Sequence, residues 1–150
     1  MQSPIPNHER ELSKWQKLQG SLIINGKIVF FKDTDTLASL QHRRSIRLSP
    51  LSARTLIIFA FCPFDVIKRE KLMRALWYDH GFIVTENSLN QAVCKLRESF
   101  RAIYCDQDFI KTIPRIGYSF VGSVHVDTRS IDEIFPGGAP PAPKHHASAT

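Results

Sequence analysis

Between Asn87 and Arg101 the chain carries a run of side chains suited to hydrogen-bond recognition: Asn87, Ser88, Asn90, Gln91, Lys95, Arg97, Glu98 and Arg101. Groups of this kind can bond base edges or phosphate oxygens. Interleaved with them are Leu89, Val93, Leu96, Phe100 and Ile103, spaced by four, three, four and three, the period of one apolar helical stripe. The segment therefore offers one side to a core and another to a polar partner. The chemistry on offer is recognition rather than bond making. No nucleophile and base, glycine-rich phosphate loop or cluster of metal ligands stands at a usable spacing in the sequence, so neither an enzyme nor a cofactor is expected. Cys62, Cys94 and Cys105 are odd in number and lack C-x-x-C spacing, which argues for reduced thiols rather than a disulfide framework or a zinc site. His145 and His146 have no further ligands near them in sequence, so no metal site is expected there.

A set of elements must hold that segment in place. Thr85 and Glu86 suit a helix N-terminus, and a helix is expected over about 85–104. Two β-prone runs follow at 109–113 and 118–121, joined by Pro114-Arg115-Ile116-Gly117, where proline presets φ and glycine permits φ > 0. A basic hairpin over 109–121 is expected. Upstream, runs at 22–24, 28–31, 36–40 and 45–48 read as an antiparallel meander of three or four strands, with Asn25-Gly26 as its strongest turn signal. Ser49 and Pro50 open a helix through about Phe61 that is apolar on too many sides for a surface helix, and so is the central core element. Pro63 stops it. A second helix from about Arg69 to Tyr78 turns Leu72 and Leu76 inward and Arg69, Lys71 and Arg74 outward, with Gly81 closing it.

The chain of 150 residues suffices for one domain, and its 43% hydrophobic content is ordinary for a soluble protein. Residues 1–17 read as a flexible lead-in, 18–126 as the domain and 127–150 as a Pro/Ala-rich tail or linker. That tail shows no periodic apolar face and is expected to be dispensable for folding. Lys and Arg number 20 against 14 Asp and Glu, a formal charge of +6, which favours a polyanionic partner without requiring one. The apolar run at 56–62 is far short of the ~20 residues a membrane span needs, so the chain is expected to be soluble and cytoplasmic.

The order is thus an α+β fold: an N-terminal antiparallel sheet, three helices and a C-terminal hairpin. It resembles the OmpR/PhoB-type winged-helix DNA-binding domain of bacterial transcription regulators, in particular the ToxR and CadC kind. The residues that carry the likeness are Leu48-Ser49-Pro50, Arg69-Glu70-x-Leu72 with Leu76-Trp77, Ser88-Leu89 with Leu96-Arg97, and Lys111-Thr112-Ile113-Pro114-Arg115-x-Gly117-Tyr118. The resemblance implies a winged helix-turn-helix on double-stranded DNA, with the helix of about 85–104 in the major groove and the wing of 109–121 on the flanking backbone. Gln91 and Lys95 would face bases, and Ala92 would lie close enough to touch a thymine methyl. Asn87, Ser88 and Arg97, with Lys111, Thr112 and Arg115 in the wing, would contact the backbone. From the residues alone, Arg97 can instead pair with Glu98, Asp106 or Asp108. Trp77, Leu89, Leu96 and Tyr118 would be core. The loop of Asp79, His80, Gly81 and Phe82 is a candidate contact for RNA polymerase, and a dimer on DNA is possible in such a family. Relatives of the ToxR kind continue through a linker into a membrane helix, and the tail fits such a linker. The sequence departs from the pattern at Lys68, where a capping Ser is usual, at Pro114, where an arginine often reaches into the minor groove, and at Cys94 and Glu98, where basic residues are common. Those last two give a rival reading, a winged helix used for protein interaction.

Overall fold

A computed structural model describes residues 20–135. The expected lead-in and the chain from 136 onward lie outside the described residues. In chain order the elements are β1 Ser21–Ile24, β2 Ile28–Phe31, β3 Thr36–Ser39, β4 Arg44–Arg47, α1 Pro50–Ala60, β5 Val66–Lys68, α2 Arg69–Leu76, α3 Glu86–Ala102, β6 Ile110–Ile113, β7 Gly117–Phe120, β8 Val124–Asp127 and α4 Ile131–Ile134.

The meander forms as expected, and Asn25 and Gly26 both take positive φ at its first turn. It acquires an unexpected fifth strand: β8 pairs antiparallel with β1, giving the order β4-β3-β2-β1-β8. Every residue of β1 and β2 is buried. Because neighbours in a strand point to opposite faces, both faces of this sheet must be covered. The inner face, with Leu22, Ile24, Phe30, Leu37 and Ile46, belongs to the main core with Leu56 and Phe59 of α1. The outer face, with Ile23, Val29, Phe31 and Ala38, packs with Ile134 and Phe135.

That second packing corrects the boundary expected after Val126. Asp127 pairs with Ser21, and Arg129 grips the Asp127 carboxylate, holding its pKa down at about 2. Ser130 and Glu133 form a reciprocal capping box on α4. Phe135 is 1% exposed, with its ring centroid 6.0 Å from that of Phe31. The segment just past Val126 is therefore structural, because the outer sheet face needs an apolar cover.

The helices follow the sequence with two differences, at the end of α2 and at Trp77. Ser49 accepts a hydrogen bond from the Ser52 amide and Pro50 stands in the first turn, so α1 starts where expected. Lys68 gives α2 no side-chain cap. Instead the Arg69 amide donates to the Ile116 carbonyl at 3.0 Å, so the start of α2 leans on the hairpin. Helix α2 ends at Leu76; Gly81, at φ 86°, closes a 3-10 turn over Tyr78–His80 rather than the helix itself. Trp77, expected in the core, is only partly buried against it.

The hairpin of β6 and β7 gains β5 on its other side, in the order β5-β7-β6. Its turn departs from expectation: the residue with positive φ is Arg115, at 68°, not Gly117. Gly117 is required for a different reason, since a Cβ there would lie 1.9 Å from the Ile67 carbonyl oxygen of β5. Arg97 joins α3 to this hairpin. Its Nη2 donates to the Ile110 carbonyl and to Thr112 Oγ1. Its Nε lies 3.5 Å from Asp108 Oδ1, at ion-pair distance but without the direction of a hydrogen bond.

Two outcomes follow from this packing. Phe135→Ala should cost about 3–5 kcal/mol, as for other buried aromatics, and a chain ended after Asp127 should lose at least as much. Urea unfolding measures both, and unchanged midpoints would mean that the outer sheet face needs no cover. Arg97→Ala should cost about 1–3 kcal/mol because the carbonyl of buried Ile110 loses this charged donor, and Arg97→Lys should not restore it, since a point charge cannot reproduce the guanidinium fork. An Arg97→Ala protein as stable as the parent would remove the strut.

Candidate nucleic-acid interface

Helix α3 sits on the core through Leu89, Val93, Leu96 and Phe100, all 3% exposed or less. The opposite side presents Asn87, Gln91 and Lys95, one turn apart and exposed. A helix of this length extends about 25 Å at the usual rise per residue and can lie in a major groove. Ser88 is half-buried beside this stripe. Ala92 is withdrawn: at 3% exposure it faces inward, one position around the helix from Gln91, and offers no methyl to a ligand. Cys94 is exposed and lies 3.9 Å from Glu98 Oε2. Cys105 is of another kind, since burial pushes its thiol pKa up.

In the wing, Lys111, Thr112 and Arg115 are all exposed. The side chains of Lys111 and Arg115 have no hydrogen bond or ion pair among the described residues. Thr112 and Arg97 are brought together, but with each other. Arg97 thus takes one of the pairings open in the sequence, with Asp108, and spends the Nη2 donors on the hairpin. The Asp79, His80, Gly81 and Phe82 loop stands apart on the surface, with Phe82 62% and Ile83 93% exposed.

The sequence reading missed a polar junction between α2, α3 and the wing. Arg69, expected to face outward, turns toward α3 and keeps only 22% of its side chain exposed. Its Nε pairs with Glu86 Oε1 at 3.3 Å. Its Nη2 donates to the Glu86 carbonyl and to Asn90 Oδ1 at 2.9 Å, and Nη1 donates to the Tyr118 hydroxyl. Tyr118, 4% exposed, donates in turn to Asn90 Oδ1 at 3.0 Å. One signal was present in the sequence: a Tyr rather than a Phe at a buried wing position calls for a hydroxyl partner. Beside this junction an open cleft of about 530 Å³ is lined by Lys68, Arg69, Glu70, Glu86, Asn90, Arg115 and Ile116. Among the described residues no group of acids, histidines and cysteines could hold a metal ion, and no helix is long and apolar enough to cross a membrane.

Comparison with known proteins agrees with this architecture. The chain is 30% identical over 99 residues to the "Cholera toxin homolog transcriptional activator" of Vibrio parahaemolyticus, covering 65% of this chain and 34% of that protein. It is 31% identical over 103 residues to the "Cholera toxin transcriptional activator" of Vibrio cholerae, covering 68% of this chain and 35% of the relative. The chain thus spans about a third of the length of the curated relatives it matches. The solved "DNA BINDING DOMAIN OF E.COLI CADC" superposes with a TM-score of 0.64 at 24% identity, over 73% of this chain and 98% of that one, a likeness of fold. Residues 43–120, from the end of the meander through α1, α2, α3 and the wing, match the Trans_reg_C family, described as "Transcriptional regulatory protein, C terminal", and the chain belongs to that family of winged-helix proteins.

Proposed function

We propose that this chain is a sequence-specific double-stranded DNA-binding transcription regulator that works by recognition, not catalysis. The observation that carries the reading is the exposed stripe Asn87, Gln91 and Lys95 on α3, set beside the unpaired cations Lys111 and Arg115 of the wing. With α3 in the major groove, Gln91 can bond adenine through both ends of its amide, and Lys95 can reach guanine O6 and N7. Asn87, Ser88, Lys111, Thr112 and Arg115 set register on the backbone. Arg97 joins helix to wing through Nη2, which leaves only its Nη1 donors for a phosphate. Work in the cytoplasm and assembly of two copies on DNA belong to the same proposal. The projecting loop from Asp79 to Ile83 leaves apolar side chains on a face that need not touch DNA, which supports a contact with RNA polymerase there.

Affinity for a duplex selected from a random pool, and for its scrambled counterpart, measured at two salt concentrations, tests this reading. Gln91→Ala and Lys95→Ala should each cost about 1–3 kcal/mol on the selected duplex and relax preference at one or two base pairs. Arg115→Ala should weaken selected and scrambled duplex alike and lower the salt slope by about one. A folded parent with no salt-dependent DNA binding would leave the protein-interaction reading in its place.

A further inference from the structure

We infer that Asn90 is a DNA-backbone contact whose carboxamide is held, donors outward, by Arg69 and Tyr118; this rests on the DNA-binding reading above. A guanidinium has no acceptor, so the oxygen of the Asn90 amide must be the atom facing Arg69 Nη2, 2.9 Å away. The Tyr118 hydroxyl donates to the same oxygen at 3.0 Å. With both bonds on Oδ1, the amide cannot flip, and Nδ2 carries its two donors with no partner among the described residues.

This arrangement changes what Asn90 can read. An asparagine recognises adenine by donating and accepting together. Here the accepting half is occupied inside the protein, so Asn90 offers donors alone, and its ligand is an acceptor-only group. The cleft that it lines decides which one. Lys68 and Arg115 stand there without ion-pair partners among the described residues, while the two carboxylates present are already paired, Glu86 with Arg69 and Glu70 with Arg74. A wall of donors and free cations between the start of α3 and the wing tip suits a phosphate of the strand that runs from one to the other. Asn90 thus complements Gln91, its neighbour in sequence, which has both halves of its amide free.

The isosteric change Asn90→Asp separates this role from a structural one. A carboxylate still accepts from Arg69 and Tyr118, so a purely structural Asn90 tolerates it, but the donors become a negative oxygen facing the phosphate. On the selected duplex the full-length Asn90→Asp protein, folded by circular dichroism, should bind about tenfold or more weakly, since a charge-assisted bond is replaced by repulsion. The same duplex is then built with a neutral methylphosphonate at each backbone position in turn. At a single position the Asn90→Asp penalty should shrink to below about twofold, the non-additivity expected of groups in contact. Parent-like binding by Asn90→Asp overturns the inference while leaving the DNA-binding reading intact, as does a penalty equal at every phosphate or an altered preference at one base pair. Absence of DNA binding by the parent overturns both.

Discussion

The Arg69 guanidinium is bonded at once to Glu86 and Asn90 in the first turns of α3 and to a tyrosine of the wing, and the candidate interface depends on that sharing. A cation that is largely withdrawn from water needs its donors satisfied. Here the acceptors that satisfy them are the Glu86 carboxylate, the Glu86 carbonyl, Asn90 Oδ1 and the Tyr118 hydroxyl. They belong to two different elements, and Arg69 itself opens a third. The solvation requirement of one charge thus becomes a geometric constraint on three pieces of chain. A planar fork is suited to this and a lysine is not. The backbone adds to it, because the Arg69 amide also holds the Ile116 carbonyl at the wing tip.

Arg97 has the matching role further along α3. It reaches the Ile110 carbonyl and Thr112 in β6, while Arg69 reaches Tyr118 in the neighbouring strand β7. Helix α3 is therefore fixed to the wing by one guanidinium near its start and another past its middle. Between them lie Asn87, Asn90, Gln91 and Lys95, whose free donors face outward. On the proposed reading, DNA would meet side chains whose spacing is set beforehand, with little ordering cost left for the helix and wing on binding. The two sheets contribute differently. The five-stranded sheet supports α1, which supports α3 through the core; the three-stranded one carries the wing and receives the start of α2.

Much of this was legible in the sequence because local signals agreed with the tertiary result. The Asn-Gly turn, the Ser-Pro helix start and the four-three apolar spacing of α3 each have a local cause and each appeared where expected. What escaped depended on partners distant in sequence. Strands β5 and β8 are short and gain their identity from β7 and β1. The cover that Ile134 and Phe135 provide was foreshadowed by β1 and β2, apolar at both alternating sets of positions, a pattern that requires burial on both faces. Gly117 was recognised as necessary but for the wrong reason, because close approach of another strand cannot be read from a turn sequence. In the candidate site, residue types identified an exposed recognition face, yet Ala92 faces inward and Arg97 faces the wing. Both differences come from where the helix sits on its neighbours, which spacing alone leaves undetermined within about one residue of rotation.

The central claim is that α3 and the wing form one preset body. Backbone residual dipolar couplings for 86–102 and 110–120 in the free protein and on DNA test it directly. The account predicts that one alignment tensor fits both segments in each state, with the same relative orientation. Two tensors in the free protein, or a wing that reorients against α3 on binding DNA, would contradict it.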